Sequence, residues 1–264
     1  MTKINSPKIA CITGATSGIG KATAKIFAKN GYHIIITGRR KERLQVLSEK
    51  LTEKYDTEVL SLCFDIRNWT EVQHACNSIP DKWQNIDILV NNAGLAKGLA
   101  PIHQGELDHW ETMIDTNLKG LLYITRLLSP RMVEKKSGHI INVCSTAGHE
   151  VYPNGNVYSA TKFAVNALTK SMRLDLYQHG IRVSQISPGH VEETEFASVR
   201  FDGDTRKANI YSDFTPLNSR DVAEAIYFVV SRPPHVNIQD ILMMSSQQAG
   251  SNHIDRSGRQ ESGE

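Results

Sequence analysis

Thr13-Gly14-Ala15-Thr16-Ser17-Gly18-Ile19-Gly20 carries three glycines in the spacing G-x-x-x-G-x-G. The β-branched run Ile9 to Thr13 leads into it, and an amphipathic stretch from Gly18 to Asn30 follows at once. A strand that turns on glycines into a helix lets backbone N–H groups approach a pyrophosphate at the helix N-terminus. The stretch is not a P-loop, because no Lys-Ser/Thr pair follows Gly20. The context therefore predicts a dinucleotide-binding turn.

Outward from this turn, short apolar runs alternate with longer amphipathic segments. Strands are expected at His33 to Thr37, Val59 to Phe64, Ile86 to Val90, His139 to Cys144, Ile181 to Ile186 and Ile238 to Met243. Helices are expected at Lys41 to Tyr55, Trp69 to Ile79, Leu107 to Lys135, Val157 to Leu176 and Arg220 to Ser231. The long fourth helix carries Asn117 and Gly120, where a break is expected. Continuous apolar strands such as Ile34-Ile35-Ile36 suit a sheet covered on both faces. The alternation predicts an α/β protein with a doubly wound, parallel, seven-stranded sheet. No linker or internal repeat divides the chain, so residues 1–250 read as a single domain. His190 to Leu217 lacks periodicity and follows the sixth strand, where lids and binding segments of open α/β sheets lie. Residues 251–264 read as a polar, frayed C-terminal tail.

The tip of the second strand reads Thr37-Gly38-Arg39-Arg40-Lys41. An NAD site would place an acid there for the ribose 2′-OH. Two arginines suit a 2′-phosphate instead, through charge-assisted hydrogen bonds. Positive charge at a helix N-terminus opposes the helix dipole, and an anion would offset that cost. NADP is expected over NAD, with a solvated basic patch as the alternative.

Composition narrows the remaining classes. The 264 residues carry 30 Lys and Arg against 28 Asp and Glu, a net charge of +2. That leaves no basic excess for a nucleic acid partner. With glycine added, the apolar share is about 47%, which argues against a disordered chain. No window approaches a membrane span and no signal peptide is seen, so a cytoplasmic protein without membrane contact is expected. Cys11, Cys63 and Cys144 lie in apolar runs and read, with Cys76, as buried free thiols. No metal site is expected.

The helix expected at Val157 to Leu176 contains Tyr158-Ser159-Ala160-Thr161-Lys162. Residues four apart share a helix face, and an ammonium beside a phenol stabilises the phenolate. Alone, a Tyr/Lys pair at this spacing is unremarkable. It stands with Ser145 at the end of the fifth strand, Asn91-Asn92-Ala93-Gly94 at the end of the fourth, and Asn117.

From about Ile9 to Met244 these motifs together resemble the short-chain dehydrogenase/reductase family. The resemblance implies a single-domain Rossmann fold whose substrate site shares the cofactor's sheet. It implies catalytic roles for Tyr158 as general acid/base and for Lys162, which lowers the phenol's pKa and holds the nicotinamide ribose. Ser145 would orient the substrate oxygen, and Asn117 would hold a water in a proton relay. Gly14, Thr16, Ser17, Gly18, Ile19, Gly20, Arg39, Arg40, Asp65, Ile66, Asn92, Pro188, Gly189, Val191 and Thr194 would line the NADP site. Asp65 would accept from the adenine amino group. A homotetramer is implied as well, with helix faces near Leu121 and Leu168 as candidate contacts and equally as ordinary core.

The runs Ile86 to Ala96, Trp110 to Asn117 and Thr194 to Phe201 look like the NADP-dependent 3-hydroxy acid dehydrogenases, which act on serine, allo-threonine or malonic semialdehyde. That likeness implies oxidoreductase activity on a short 3-hydroxy acid. Arg200, Arg206 and Lys207 could meet its carboxylate, though Arg200 reads equally well as a structural ion-pair partner. Ser145, Tyr158 and Arg200 form the expected substrate site. His149, Glu150, His190, Glu192 and Glu193 depart from the pattern. The acids would repel an anionic substrate unless they point outward, and a solvated face is the simpler reading. A reductase of other small ketones or aldehydes, and a non-catalytic NADP-responsive binding protein, stay open as alternatives.

Overall fold

The computed structural model describes residues 7–204, 206 and 211–259. The strands are β1 (Ile9–Ile12), β2 (His33–Gly38), β3 (Val59–Cys63), β4 (Ile86–Asn91), β5 (Gly138–Val143), β6 (Ile181–Pro188) and β7 (Asp240–Met243). They pair in parallel in the order β3-β2-β1-β4-β5-β6-β7. The order reverses between β1 and β4, which opens a crevice at the carboxyl ends of these two strands.

Helices α1 (Gly18–Lys29), α2 (Lys41–Tyr55) and α8 (Ser219–Val230) cover one face. Phe27, Leu44, Leu47, Leu51, Val222 and Ile226 pack there on Ile34, Ile36, Val90 and Ile186. Helices α3 (Trp69–Asn77), α5 (Gly120–Lys135) and α6 (Asn156–Leu176) cover the other. Val72, Leu121, Leu128, Val165 and Met172 meet Cys11, Ile35, Leu89 and Ile140 on that side. Ile34, Ile35 and Ile36 are fully buried, each stabilising by about 1.5–3 kcal/mol. Two covered faces explain their unbroken apolar run. Leu121 also belongs to this core, and Leu168 packs against it.

The long fourth helix is interrupted. Helix α4 (Leu107–Ile114) passes through a π-helical turn, Asp115–Lys119, into α5. Such turns widen the helix by one residue and collect at functional sites. This one turns Asn117 inward, where its side chain bonds a loop after β4.

Two expectations need correction. Cys63 is exposed, whereas Cys11, Cys76 and Cys144 are buried. It ends β3, one of the two outer strands of the sheet, where one flank has no neighbouring strand. The C-terminal segment is not frayed through residue 259. Buried Gln247 and Gln248 anchor it to the segment that begins at His190. Gln247 Oε1 accepts from Thr215 N at 2.8 Å, and Gln248 Oε1 accepts from His190 N at 2.9 Å. Arg256 pairs with Asp213 and Arg259 with Glu192, both at 2.6 Å.

Candidate active site

The crevice at the reversal of strand order holds a cavity of about 610 Å³. Gly14, Thr16, Ser17, Gly18 and Ile19 line one end together with Gly38, Arg39, Arg40, Asp65 and Ile66. Ser145, Tyr158 and Lys162 line the other, and Asn92, Gly94 and Thr116 lie along the wall. Pro188, Gly189, Val191, Thr194 and Arg200 close it from the side of β6. Gly20 and Asn117 support this wall from behind.

The glycine turn is braced from β4. Thr13 Oγ1 accepts from the backbone N–H groups of Asn92 and Ala93, each at 3.0 Å. Asn92 Nδ2 donates to the carbonyls of Thr13 at 2.8 Å and Gly14 at 3.2 Å. That leaves the Asn92 Oδ1 to meet a ligand. Gly14 and Gly18 have φ of +65° and +51°, a left-handed backbone that favours glycine. Ser17 at the N-cap of α1 makes no side-chain cap, and the first turn carries no acid. An anion is the partner such an uncapped helix end lacks. Thr116 Oγ1 is buried in the wall with no partner. These features fit the phosphates and polar edges of a dinucleotide.

At the end lined by Arg39 and Arg40, Asp65 is already engaged. Arg67 Nη2 donates to it at 2.6 Å, and Arg39 stands 3.9 Å away. Burial pushes the Asp65 carboxyl up, but the hydrogen bonds from Arg67 and the charge of Arg39 outweigh it and hold it below its ordinary value. Little accepting capacity remains for an adenine amino group. Arg40 donates to Thr16 Oγ1 and Ser17 Oγ.

At the other end, Tyr158 is buried, and Lys162 Nζ lies 5.9 Å from its ring centroid. Burial pushes the Tyr158 phenol up to about 12, while a hydrogen bond with Ser145 and the charge of Arg200 oppose this. Burial also lowers the Lys162 ammonium. Lys162 Nζ donates to Val143 O at 3.1 Å. Ser145 Oγ accepts from Ala147 N at 3.1 Å, which fixes it at the mouth of β5. Asn117 Oδ1 accepts from Leu95 N, and its Nδ2 donates to Leu95 O and Thr161 Oγ1. Both amide hydrogens are thus spent, so a relay water would need the main chain of the π turn. Cys144 donates to Lys162 O, and burial raises its thiol. It is filling, not a nucleophile.

A phenol, a hydroxyl and a buried ammonium around one cavity can move a proton on and off a substrate oxygen. The match to the family described as short chain dehydrogenase runs over residues 8–204. The chain belongs to the short-chain dehydrogenase family. Its fold is the Rossmann type, and it is an oxidoreductase. This short-chain dehydrogenase is 48% identical over 237 residues to the NADP-dependent 3-hydroxy acid dehydrogenase YdfG of Salmonella typhi, across 89% of this chain and 94% of that one. It is 43% identical over 239 residues to the serine 3-dehydrogenase of Agrobacterium fabrum, across 90% and 94%. Among solved structures, the closed form of a serine dehydrogenase complexed with NADP+ superposes with a TM-score of 0.87 at 46% identity, covering 92% and 97%.

In this short-chain dehydrogenase the described residues of the segment after β6, expected to be a lid, close one side of the cavity. Val191 pairs with Leu217, so the two feet of the lid meet. Between them runs a short helix, α7 (Phe196–Arg200), that the lack of periodicity hid. Arg200 is 8% exposed. Its guanidinium lies 5.4 Å from the Tyr152 ring and 5.8 Å from the Tyr158 ring. Its Nε donates to Gly98 O at 3.2 Å, and among the described residues no carboxylate pairs with it. Among the described residues the ion-pair reading of Arg200 finds no partner. Arg206 is exposed, and Lys207 lies outside the described residues. Glu193 is exposed and Glu192 is bound to Arg259, so neither lines the cavity. Glu150 accepts from Ser251 N, and His149 bonds Ser187 at 2.9 Å. His190 bonds Gln248, and burial keeps its imidazole below the ordinary value.

Residues absent from the sequence reading also line the cavity: Thr116, Tyr152, Glu195, Tyr211, Asn252 and Arg256. Thr116 and Glu195 adjoin Asn117 and Thr194, which the sequence does single out, whereas Tyr211, Asn252 and Arg256 arrive from segments that no local pattern marks. No helix among the described residues is long and apolar enough to cross a membrane.

Proposed function

We propose that this protein moves a hydride between NADP and a short 3-hydroxy acid of the serine, allo-threonine or malonic semialdehyde type. The observation that carries the acid is Arg200. A buried guanidinium without a carboxylate is costly, and a substrate carboxylate would supply the missing charge beside Tyr158. The names of the relatives support the same substrate class.

Bound NADP supplies the hydride donor or acceptor. Thr16, Ser17 and the N-terminus of α1 hold its phosphates, and Arg39 and Arg40 read its 2′-phosphate. Ser145 and Tyr158 hold the substrate oxygen. In reduction Tyr158 gives that oxygen its proton, and in oxidation it takes the proton back. Lys162 keeps the resulting phenolate stable and binds the nicotinamide ribose. Asn117 fixes the loop after β4 that carries Gly94. Residues 1–250 serve both ligands as one domain, with the lid at 190–217 in place of a second one.

A homotetramer is the assembly we favour. Leu122 and Phe163 on the outer faces of α5 and α6, with Phe228 and Leu242 near the β7 edge, are exposed apolar residues suited to such contacts. A cytoplasmic location is consistent with four free cysteines.

The test is an NADPH absorbance screen over serine, allo-threonine, 3-hydroxyisobutyrate and malonic semialdehyde, with NAD(H) and neutral ketones as controls. Inert acids beside active ketones would overturn the substrate class, and a preference for NAD would overturn the cofactor. Arg200→Gln is expected to raise KM for the acid by about 30-fold or more, since truncating one partner of a buried charge pair costs about 2–5 kcal/mol. The Kd for NADPH should stay unchanged in a fluorescence titration.

A further inference from the structure

The basic cluster assigned to the 2′-phosphate already holds an anion of the protein's own. Glu195, the residue before α7, is 155 residues from Arg40 in sequence but touches it in the fold. Its Oε2 accepts from Arg40 Nη1 at 2.6 Å and its Oε1 from Arg43 Nη1 at 2.5 Å. Arg40 sits at the N-cap of α2 and Arg43 in its first turn. The contact therefore joins the lid to the far rim of the cofactor groove. Next to it, Thr194 packs against Gly18, where an added Cβ would stand 3.1 Å from Thr194 Cγ2.

Arg40 is a fork with two usable edges. Its Nη1 edge serves the Glu195 carboxylate. Its Nε and Nη2 edge is held only by hydroxyls, with Thr16 Oγ1 at 3.2 and 2.6 Å and Ser17 Oγ at 3.2 Å. A phosphate dianion outcompetes neutral hydroxyls for a guanidinium, but gains far less by displacing a carboxylate. Charge balance agrees. Arg39, Arg40 and Arg43 carry three positive charges and Glu195 one negative, which leaves a surplus that a dianion neutralises. The carboxyl of Glu195 faces Arg40 and Arg43, with Ser17 as a further hydrogen-bond partner, and these hold it at about 2 against the effect of burial, so it is charged at any working pH.

We propose that Glu195 is a positioning residue that couples closure of the lid to the 2′-phosphate through Arg40. The phosphate takes the hydroxyl edge of the guanidinium, fixes its orientation, and so strengthens the bond on the opposite edge that keeps the lid shut. NAD lacks that phosphate and leaves the clasp loose. Discrimination between the cofactors then appears in lid closure as well as in affinity. This rests on the NADP reading of the site.

The test compares wild type and Glu195→Gln, an isosteric change at a half-exposed position, with NADPH and NADH as probes. Stopped-flow fluorescence gives cofactor dissociation, and amide exchange reports on residues 191–204. In wild type, NADPH should protect these amides more than NADH does. In Glu195→Gln that difference should vanish, and NADPH should dissociate about fivefold faster, as for a modest ion-pair network. NADH release should change by less than about twofold by the same reasoning. Arg43→Ala, which leaves Arg40 in place, should move NADPH release in the same direction. Unchanged or slower NADPH release from Glu195→Gln would overturn the clasp, the slower case marking Glu195 as a competitor of the phosphate. If wild type binds NADH as tightly as NADPH, the cofactor reading itself is at fault and the clasp falls with it.

Discussion

Tyr158→Phe is expected to lower kcat for both directions by about 10³- to 10⁴-fold, at the upper end of what a positioned acid/base contributes. The Kd for NADPH should hold, because the variant keeps the ring that packs on Phe196 at 5.6 Å and loses only the hydroxyl. The buried phenol, pushed up to about 12, is protonated throughout the working range. It is thus ready to give its proton in reduction, which should be flat with pH below that value. Oxidation needs the phenolate, so its rate should climb as pH rises towards the phenol's pKa. The residual rate of Tyr158→Phe should lose that slope. Steady-state pH profiles in both directions check this, and a phenylalanine variant with the wild-type slope would remove Tyr158 from the proton transfer.

Gly20→Ala should weaken NADPH binding by about 10- to 100-fold, as expected when a charge-assisted hydrogen bond to a phosphate worth about 1.5–3 kcal/mol is lost. The Cβ would stand 2.5 Å from both Asn92 Nδ2 and Gly14 O. Neither can retreat. Asn92 Nδ2 is tied to Thr13 O and Gly14 O, and Gly14 is itself the first glycine of the turn. The helix must therefore move off β4 and carry its N-terminus away from the cavity. Overpacking of this kind costs about 1–3 kcal/mol, which is a fall in Tm of roughly 2–10 °C for a domain of this size. A fluorescence titration beside a thermal melt measures both. Retained affinity would mean that the phosphate is held elsewhere.

Local patterning reveals most of the fold. Ile34-Ile35-Ile36 announces a covered strand, and Leu44, Leu47 and Leu51 announce one face of α2. The glycine turn and the Tyr158/Lys162 spacing locate both ends of the cavity, because a tight turn and a shared helix face are short-range properties. What escapes is set by contacts between distant segments. Glu195 and Arg40 are 155 residues apart, and no window of sequence relates them. Gln247 and Gln248 read as ordinary tail residues until Thr215 and His190 are seen to use them. Cys63 misleads for the opposite reason, since its apolar neighbourhood does not say that β3 is an outer strand. Asn117 is an intermediate case: the break near it was visible, but its bonds to Leu95 and Thr161 were not.

The feet of the lid are stitched together at Val191 and Leu217, and the C-terminal segment is riveted to the lid rather than to the sheet. The segments 190–217 and 245–259 therefore behave as one exchangeable cassette. A graft that swaps the lid alone would strand Arg259 without Glu192 and Arg256 without Asp213. Swapping both together keeps these pairs, and new substrate pockets can be trialled on a constant hydride-transfer platform provided that the graft retains Thr194 against Gly18, Glu195 for Arg40 and Arg43, and the Ser251 bond to Glu150.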